Sequence, residues 1–402
     1  MVKENIKKKA LEGFRVLDLS RVLAGPYCAM ILGDLGAEII KIERPGYGDD
    51  TRSLGPFIGS ESMYFMNTNR NKKSITLDLK SNAGKQVFLD LVKQSDVVLE
   101  NYKPGVMEKL GIGHDKLKEY NSDIIYASIS GFGHKSPYAS RAGYDIIAQA
   151  MGGLMSCTGW PDSPPTRIGT AMGDILSGLF ATIGILSALL ARKSVTGSQH
   201  IDIALVDSVI SSMNTMIQVY LVEGTVPGRV GNRYLFMYPF DTFKANDGWV
   251  VIGIGNDKLW HKFCDIVGWT EIEYAEKFSS NSNRVDNYKE LEVLVTEWTK
   301  NKTVEEIIEL LSSEGIPCSP VYDVRDIVND DKIVIDRKML VDVDHPKVGR
   351  TKLVGSPIKM SLTEPTIDKP APLLGQHTRD ILTSVLGYSE ETIKNLRDRQ
   401  AF

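Results

Sequence analysis

An aspartate at the start of a long apolar segment is the residue of this sequence best suited to covalent chemistry. Asp174 lies in TAMGDILSG (170–178), directly before the apolar stretch ILSGLFATIGILSALLA (175–191). The ordinary interpretation of such an aspartate is a helix N-cap. The helix dipole and the free N–H groups at that position also keep a carboxylate ionised, and an ionised carboxylate can attack an activated carbonyl such as a thioester. The neighbouring glycines leave room for that carbonyl.

Two more polar side chains follow a glycine-rich turn. GFG (131–133) comes after a predicted strand, and Tyr144 and Asp145 open the helix predicted next along the chain. A backbone turn and a helix cap are the default interpretations of these residues. They become candidate site residues only in combination with other evidence.

Basic side chains occur near the predicted carboxyl edge of the sheet. Arg44 follows the second strand, Arg52 lies in the loop after it, and Lys72 and Lys73 precede the third strand. Open α/β sheets bind ligands in crevices at this edge, where phosphates would find cationic partners. A solvated surface explains any one of these residues equally well.

The first βαβ unit does not fit a dinucleotide-binding site. Glu43 ends the second strand, where a ribose-binding acid would sit, but SRVLAGP (20–26) cannot hold the GxGxxG pattern. Pro26 also removes an N–H group from the helix start that would receive a pyrophosphate. We therefore expect neither a nicotinamide nor a flavin cofactor.

Composition excludes several other classes of function. The formal net charge of −4 and the lack of a basic stripe disfavour nucleic-acid binding. The four cysteines and six histidines are dispersed, without CxxC or HExxH spacing, so no tight metal site is expected. Widely spaced cysteines are typical of buried thiols in a reducing compartment.

Strand and helix patterns alternate through the first part of the chain. The predicted strands are 15–20, 38–43, 74–79, 96–99 and 123–129, with predicted helices at 26–35 and 82–94. Such alternation predicts an α/β fold with a mostly parallel sheet and helices on both faces. We expect a large domain that begins with 1–224.

The middle of the chain predicts a smaller α+β domain over 225–330. Asn246-Asp247-Gly248 separates DTFKA from WVVIGI, a strong hairpin pattern, and helical patterns follow at 258–268 and 283–313. The tail contains a predicted helix broken at Gly387. We expect 331–402 to return and complete the large domain.

The apolar stretch 175–191 is nearly long enough to cross a membrane. It is a solitary candidate that contains Ser177, Thr182 and Ser187, so we interpret it as a helix apolar on all sides within a large core. The short basic run at 7–9 is expected to be solvated, and no signal-peptide pattern follows it. We expect a cytoplasmic protein without a membrane partner.

Taken together, these strings resemble the class III coenzyme A transferases (CaiB/BaiF type), the family that includes formyl-CoA and carnitine CoA-transferases. The strings that carry the resemblance run in the family's order: VLDLSRVLAGP (16–26), LGAEIIKIERPGYGD (35–49), NRNKKSITLDL (69–79), LENYKPG (99–105), SGFG (130–133), YDIIAQA (144–150), MGDILSG (172–178), TGSQHIDIAL (196–205) and APLLGQHT (371–378). Several of these strings are weak signals individually, but together they occur in the family's order over nearly the whole chain.

This resemblance implies a Rossmann-like large domain, a smaller α+β domain and an interlocked homodimer. It implies transfer of CoA between carboxylic acids, from an acyl-CoA donor to a small acid acceptor, with CoA as substrate and no tightly bound cofactor. Asp174 matches the family's nucleophile. It would form an aspartyl-acyl anhydride and then an aspartyl-CoA thioester.

The resemblance also implies the site residues. Tyr144 and Asp145 match positions at the acyl site. The positions that match the coenzyme pocket are Val22, Leu23, Ala24, Gly25, Arg44, Leu77, Asn101, Tyr102 and Lys109, with Lys73 as a further basic candidate. Arg44 would meet the nucleotide end, by phosphate pairing or by stacking on adenine.

Two departures bear on the reaction. The related 2-methylacyl-CoA racemases place a histidine where this chain has Tyr144, and a phenol is a poor base near neutral pH. The glycine run that formyl-CoA transferases hold over the nucleophile is missing between Val226 and Trp249. In that segment, Arg229, Arg233 or Tyr238 is the alternative candidate for contacting the acid. A racemase and a catalytically silent CoA-binding relative remain alternative interpretations.

Overall fold

The computed structural model describes residues 9–273 and 275–402, so Lys7 and Lys8 of the basic run lie outside the described residues. Contacts divide the chain into two units. The larger unit comprises the described residues up to Leu154, together with 167–218 and 331–402. The smaller unit comprises 155–166 and 219–330. It contains the predicted small domain, and it adds the short segment 155–166, which no sequence pattern distinguishes.

A six-stranded parallel sheet forms the larger unit. The strands of the described chain are β1 Arg15–Asp18, β2 Glu38–Glu43, β3 Phe57–Ile58, β4 Glu61–Ser62, β5 Lys72–Thr76, β6 Val97–Glu100, β7 Ile125–Ser130, β8 Gln199–Ala204, β9 Phe240–Lys244, β10 Trp249–Gly253, β11 Cys318–Pro320, β12 Leu340–His345 and β13 Gly349–Val354. The sheet runs in the order β5-β2-β1-β6-β7-β8, all strands parallel. This is the doubly wound, Rossmann-like order, with its switch point between β1 and β6.

Helices cover both faces of this sheet, and further helices belong to the smaller unit. The helices are α1 Ala24–Asp34, α2 Met63–Asn69, α3 Asn82–Val92, α4 Val106–Lys109, α5 His114–Tyr120, α6 Asp145–Met151, α7 Leu154–Cys157, α8 Met172–Ala191, α9 Leu205–Ser212, α10 Asn214–Glu223, α11 Asp257–Val267, α12 Thr270–Glu273, α13 Asn281–Asp286, α14 Tyr288–Thr299, α15 Val304–Ser313, α16 Val324–Asn329, α17 Thr378–Asp380 and α18 Glu390–Asp398. Short 3-10 turns lie at Asp50–Ser53 and Glu276–Phe278, and π-helical turns at Lys332–Asp336 and Ile381–Val385.

The two faces of the sheet bury separate cores. Side chains alternate along each strand, so Val16 joins the core beneath α1 and α8 while Leu17 joins the core beneath α3 and α5. The tail completes the second core through Ile381 and Leu396. Residues 331–402 thus return to the larger unit, and the predicted alternation of strands and helices is confirmed. Strand β8 has no counterpart among the predicted strands.

Helix α8 differs from its prediction in one respect. One face packs against α1, α9 and strands β7 and β8. The opposite face exposes large apolar side chains, among them Ile183 at 58% and Leu190 at 66%. The interpretation as a helix buried on all sides is therefore wrong for the single chain. Within the described residues, α8 is the one straight helix long and apolar enough to cross a membrane by length and composition.

The smaller unit is built on a three-stranded antiparallel sheet. β9 and β10 form the predicted hairpin around Asp247, and β11 pairs with the other edge of β10. The predicted helical stretch 283–313 is divided, because Thr303 and Glu306 form a capping box that begins α15. The core of this unit contains Trp260, Phe263 and the other residues of a separate apolar cluster.

A buried network of four charges lies at the carboxyl ends of β1 and β2. Lys72 Nζ lies 2.9 Å from Asp18 Oδ2, and Lys41 Nζ lies 2.9 Å from Asp49 Oδ2. Lys41 Nζ also donates to the Ser20 carbonyl oxygen at 2.8 Å. All four charged side chains are fully buried, so each depends on its opposite charge for solvation. The network joins three strands to the loops that follow β1 and β2.

We expect Lys72→Met to destabilise the protein by about 3–5 kcal/mol, because it leaves a buried carboxylate at Asp18 without its closest cation. Lys73→Met is the matched control. Lys73 pairs with Glu38 at a partly exposed position, where an ion pair contributes about 0–1 kcal/mol. Urea unfolding measures both variants, and an equal loss in the two would contradict the importance of the buried network.

Candidate active site

The predicted nucleophile lies in the first turn of α8. This helix begins at Met172 and has Ala171 as its N-cap, so Asp174 is its third residue. The ordinary interpretation of Asp174 as the N-cap is therefore wrong, because the helix begins earlier than the sequence indicates. The side chain of Asp174 is partly exposed.

A carboxylate from another helix binds the N–H group next to Asp174. Asp145 Oδ1 accepts a 2.7 Å hydrogen bond from the Gly173 N–H, and Asp145 Oδ2 accepts one of 2.8 Å from Gln149 Nε2. The fully buried Gln149 also accepts from the Ile168 N–H at 2.9 Å and donates to the Thr170 carbonyl oxygen at 3.3 Å. Asp145 and Gln149 thus fix the segment that leads to Asp174. The geometry makes Asp145 a positioning residue.

The electrostatic environment of Asp174 suits a reactive carboxylate. Burial, followed by the negative charge of Asp145, raises the pKa of Asp174 to about 7. The sequence predicts ionisation favoured by the helix dipole, but burial and a like charge outweigh that effect here. Near neutral pH a large share of the group is ionised while poorly solvated, a state that favours nucleophilic attack.

Tyr144 and Arg167 flank this pair of carboxylates. Tyr144 is the N-cap of α6, directly before Asp145, and its side chain is 76% exposed. Arg167 Nη1 lies 3.9 Å from Asp145 Oδ2, and the arginine side chain is about half exposed. Arg167 was not predicted from the sequence, although it lies only a few residues before Asp174. Both side chains are accessible to a molecule that approaches the start of α8.

A cavity of about 690 Å³ opens at the carboxyl edge of the sheet, within the usual range of ligand sites. Its wall is built from the loops after β1, β2, β5 and β6, on both sides of the switch point. Among the predicted residues, Arg44, Leu77 and Tyr102 line it. Lys80 and Lys103 also line it and are exposed, and the sequence analysis missed both. Both lysines follow a predicted strand, and this position at the carboxyl edge of the sheet could have indicated them as candidate ligand-binding residues.

Other predicted coenzyme residues support this cavity without lining it. The Asn101 side-chain amide accepts from the Arg21 N–H at 2.8 Å and donates to the Arg21 carbonyl oxygen at 2.7 Å, and Arg21 does line the cavity. The Val22 N–H donates to Asp49 Oδ1 at 3.2 Å, with Val22 at a positive φ of 69°. Lys109 is exposed at the end of α4 and is not among the lining residues.

The basic residues before the third predicted strand do not reach the cavity. Lys73 bonds to Glu38 Oε1 at 2.7 Å and lines a separate cavity of about 270 Å³. Lys72 is paired with Asp18 in the buried network. The reason is geometric: β5 begins at Lys72, and residues at the start of a parallel strand lie at its amino edge. Lys73 therefore does not line the larger cavity, and its assignment to the coenzyme pocket stays a prediction.

The start of α1 follows a residue of the cavity wall and packs closely against α8, the helix that carries Asp174. Residues Leu23 to Gly25 begin α1 directly after Arg21, which lines the cavity. A Cβ atom at Gly178 would lie only 2.7 Å from the Ala24 carbonyl oxygen, so α8 approaches this end of α1 closely. Asp174 precedes Gly178 by about one helical turn. The pKa of Tyr64 is raised by its burial and then by Asp174 and Asp49, which places that phenol near both regions.

The alternative acid-binding residues lie in the smaller unit and are already engaged there. Tyr238 is completely buried in the core of that unit, so its assignment to a substrate is wrong. Arg229 donates to the carbonyl oxygens of Trp160 and Pro161 at 3.2 and 3.1 Å. Arg233 stacks on the Tyr288 ring at 4.0 Å.

Candidate metal ligands are not grouped in the part of the chain that the structure describes. Across 9–273 and 275–402, no three His, Cys, Asp or Glu side chains are grouped as a metal site. The structure offers a partly exposed carboxylate with a raised pKa at Asp174 and a cavity with a basic rim at the carboxyl edge of the sheet.

Comparison with known proteins agrees with the resemblance found in the sequence. The model of CoA-transferase family III matches residues 11–378. The mouse succinyl-CoA:glutarate CoA-transferase is 40% identical over 96% of this chain and 89% of its own length. The acetyl-CoA:oxalate CoA-transferase of Acetobacter aceti is 39% identical over 92% of this chain and 94% of its own.

Solved structures agree as well. A CaiB/BaiF family protein from Brucella suis superposes with a TM-score of 0.82 at 38% identity, covering 94% of this chain and 100% of that one. A protein from Mycobacterium tuberculosis gives a TM-score of 0.83 at 29% identity, covering 93% and 99%. The resemblance is confirmed: the chain is an enzyme that belongs to CoA-transferase family III.

Proposed function

We propose that this enzyme moves CoA from an acyl-CoA to a small carboxylic acid through covalent intermediates on Asp174. The observation that carries the proposal is the carboxylate of Asp174, partly exposed and with a pKa near 7, close to the α1 end that borders the cavity. The names of relatives that transfer CoA between acids support the same reaction.

The proposed reaction proceeds by acyl exchange. The Asp174 carboxylate attacks the thioester carbonyl, the C–S bond breaks, and CoA leaves as a thiolate while an aspartyl-acyl anhydride forms. The thiolate then attacks the aspartyl carbonyl, which releases the donor acid and leaves an aspartyl-CoA thioester. The acceptor carboxylate reverses both steps. One carboxylic acid replaces another on CoA, so the overall exchange is close to thermoneutral.

Asp145 and Gln149 contribute by position in this mechanism. Their hydrogen bonds hold the Gly173 N–H and the 168–170 backbone, so the nucleophile stays at a fixed place at the start of α8. Each tetrahedral intermediate also needs donors for its oxyanion, and one such donor typically contributes about 3–4 kcal/mol. Tyr144, exposed beside Asp145, is proposed to contact the acyl group.

The coenzyme is proposed to occupy the 690 Å³ cavity with its nucleotide end. Arg44, Lys80 and Lys103 would pair with phosphates, while Leu77 and Tyr102 give an apolar surface for the base. Val22, Leu23, Ala24, Gly25 and Asn101 would shape the passage from the cavity toward Asp174. Lys109 is kept as a proposed contact of the phosphates at the rim.

The acceptor is proposed to be a small dicarboxylic acid. Relatives named for glutarate, oxalate and mesaconate act on acids of this class. Arg167, half exposed near Asp145, would pair with the second carboxylate of such an acid.

We further propose an interlocked homodimer, in which the units correspond to a large domain (1–224 with 331–402) and a small domain (225–330). The exposed apolar face of α8, with Phe180, Ile183 and Leu190, requires cover that a second copy would give. The four cysteines are all free, in agreement with a proposed cytoplasmic location.

Trapping with hydroxylamine tests the nucleophile. We expect that incubation with succinyl-CoA and hydroxylamine converts Asp174 to a hydroxamate, located by peptide mass spectrometry, because only an activated carboxyl reacts. Asp174→Asn should show no label, whereas the exposed variant Asp207→Asn should label like the wild type. A hydroxamate at another residue would contradict the assignment of Asp174. Deuterium uptake at the α-carbon of a 2-methylacyl-CoA, with no hydroxamate on the protein, would support the racemase interpretation.

The pH dependence tests the coupling between Asp145 and Asp174. Attack requires ionised Asp174, so kcat/KM should fall as pH drops below about 7. Asp145→Asn removes the like charge and should move this acid limb down by roughly one unit. Activity at pH 6 relative to pH 8 then rises about fivefold. Asp207→Asn should leave the limb in place, and an unmoved limb in Asp145→Asn would contradict the coupling.

Oligomeric state tests the proposed dimer. We expect light scattering to give twice the mass of the chain. Ile183→Glu places a charge on the exposed face of α8 and should weaken assembly. Val354→Glu, an exposed apolar position on β13, is the matched control. A monomeric wild type would contradict the proposal.

A further inference from the structure

The chain's last described residues line the coenzyme cavity, which no sequence pattern indicated. Gln400 and Phe402 both line it, whereas its other lining residues lie between Ser20 and Leu110 in the sequence. They follow α18, which ends at Asp398. The segment 400–402 is therefore part of the surface that meets whatever occupies the cavity.

Backbone bonds hold this segment in place. Ala401 is completely buried, its N–H donates to the Leu396 carbonyl oxygen at 3.0 Å, and its own carbonyl oxygen accepts from the Asp78 N–H at 2.8 Å. Gln400 adopts a positive φ of 55°, uncommon for a residue with a side chain. The segment is thus ordered before a ligand binds, at a defined place beside Asp78 of the cavity wall.

The close approach around Asp78 also explains a glycine. A Cβ atom at Gly84 would lie 2.2 Å from the Asp78 carbonyl oxygen and 3.1 Å from that of Ala401. No larger residue fits there without moving one of the two segments. The start of α3, the loop after β5 and the segment 400–402 are therefore packed as one wall.

The Phe402 ring contributes an apolar surface to this wall. It packs against the core beneath α3 and α5, as Leu79, Tyr102 and Leu110 also do, and it remains partly exposed. The exposed cations Lys80 and Lys103 lie on the same cavity. An aromatic surface beside phosphate-binding cations suits a nucleotide, whose base stacks while its phosphates pair.

We propose that Phe402, fixed by the bonds of Ala401 to Leu396 and Asp78, is a binding residue for the nucleotide half of the coenzyme. The inference rests on the proposed function, which assigns CoA to this cavity. Phe402 determines affinity for the base and takes no part in acyl transfer. Its removal therefore changes KM for the acyl-CoA and leaves kcat unchanged.

Calorimetry with 3′,5′-ADP tests the inference without any acyl transfer. Phe402→Ala is expected to bind this nucleotide about tenfold more weakly than the wild type, the loss typical of one stacked aromatic ring. Phe57→Ala, at an exposed phenylalanine on β3 that does not line the cavity, should bind like the wild type. Wild-type affinity in Phe402→Ala would overturn the inference.

Kinetics separate binding from damage to the fold. Phe402→Ala should raise KM for succinyl-CoA about tenfold while leaving the rate with succinyl-pantetheine, which lacks the nucleotide, unchanged. An equal loss with both donors would overturn the inference. If Phe402→Ala melts well below the wild type, Phe402→Leu decides: it keeps the apolar bulk, and its nucleotide affinity must still fall. Failure of the wild type to label Asp174 would instead refute the proposed reaction.

Discussion

The cavity depends on the buried charges of Asp18, Lys72, Lys41 and Asp49. Burial alone would raise the pKa of Asp18, yet Lys72 and Lys41 lower it below its usual value, so the carboxylate stays charged. The same competition leaves the pKa of Lys72 at about 8, since burial outweighs its partners there. Two positive and two negative groups balance, and the loss of any one leaves a charge that the interior cannot solvate.

These charges are placed where they order the loops after strands. Asp49 accepts from the Val22 N–H at 3.2 Å, and Lys41 holds the Ser20 carbonyl oxygen at 2.8 Å. The loop from β1 into α1 is therefore fixed from below, at the switch point of the sheet. Glu43, at the place where a dinucleotide-binding fold would carry a ribose ligand, binds Arg52 at 2.7 Å and supports the same region. The buried charged network thus stabilises the loops of the fold. The exposed cations of the cavity, Lys80 and Lys103, remain available to bind a ligand.

Most strands of the sheet were predicted from the sequence, because buried parallel strands such as β6 contain short apolar runs (Val97 to Leu99). The sequence failed where function depends on an edge or a distant contact. Lys73 was expected near the carboxyl edge, but it lies at the start of β5 and therefore at the amino edge of the sheet. Phe402 was missed because its role arises from a fold-back onto Asp78, for which local patterns carry no information. Arg167 was missed because only the folded chain brings it near Asp145.

The aspartate at the start of α8 shows how a common motif becomes reactive. A helix needs acceptors for its first N–H groups, and an aspartate at the N-cap would ordinarily supply one, whereas Asp174 is the third residue of α8. Here the Gly173 N–H is bound by Asp145 from α6, and Ala171 supplies no side-chain cap. The carboxylate of Asp174 is thereby spared that role. The residue that replaces it as acceptor also brings a second negative charge close, which with burial raises the pKa of Asp174 to about 7. Burial and the nearby charge of Asp145 thus act together to raise the basicity of the carboxylate that we propose as the nucleophile.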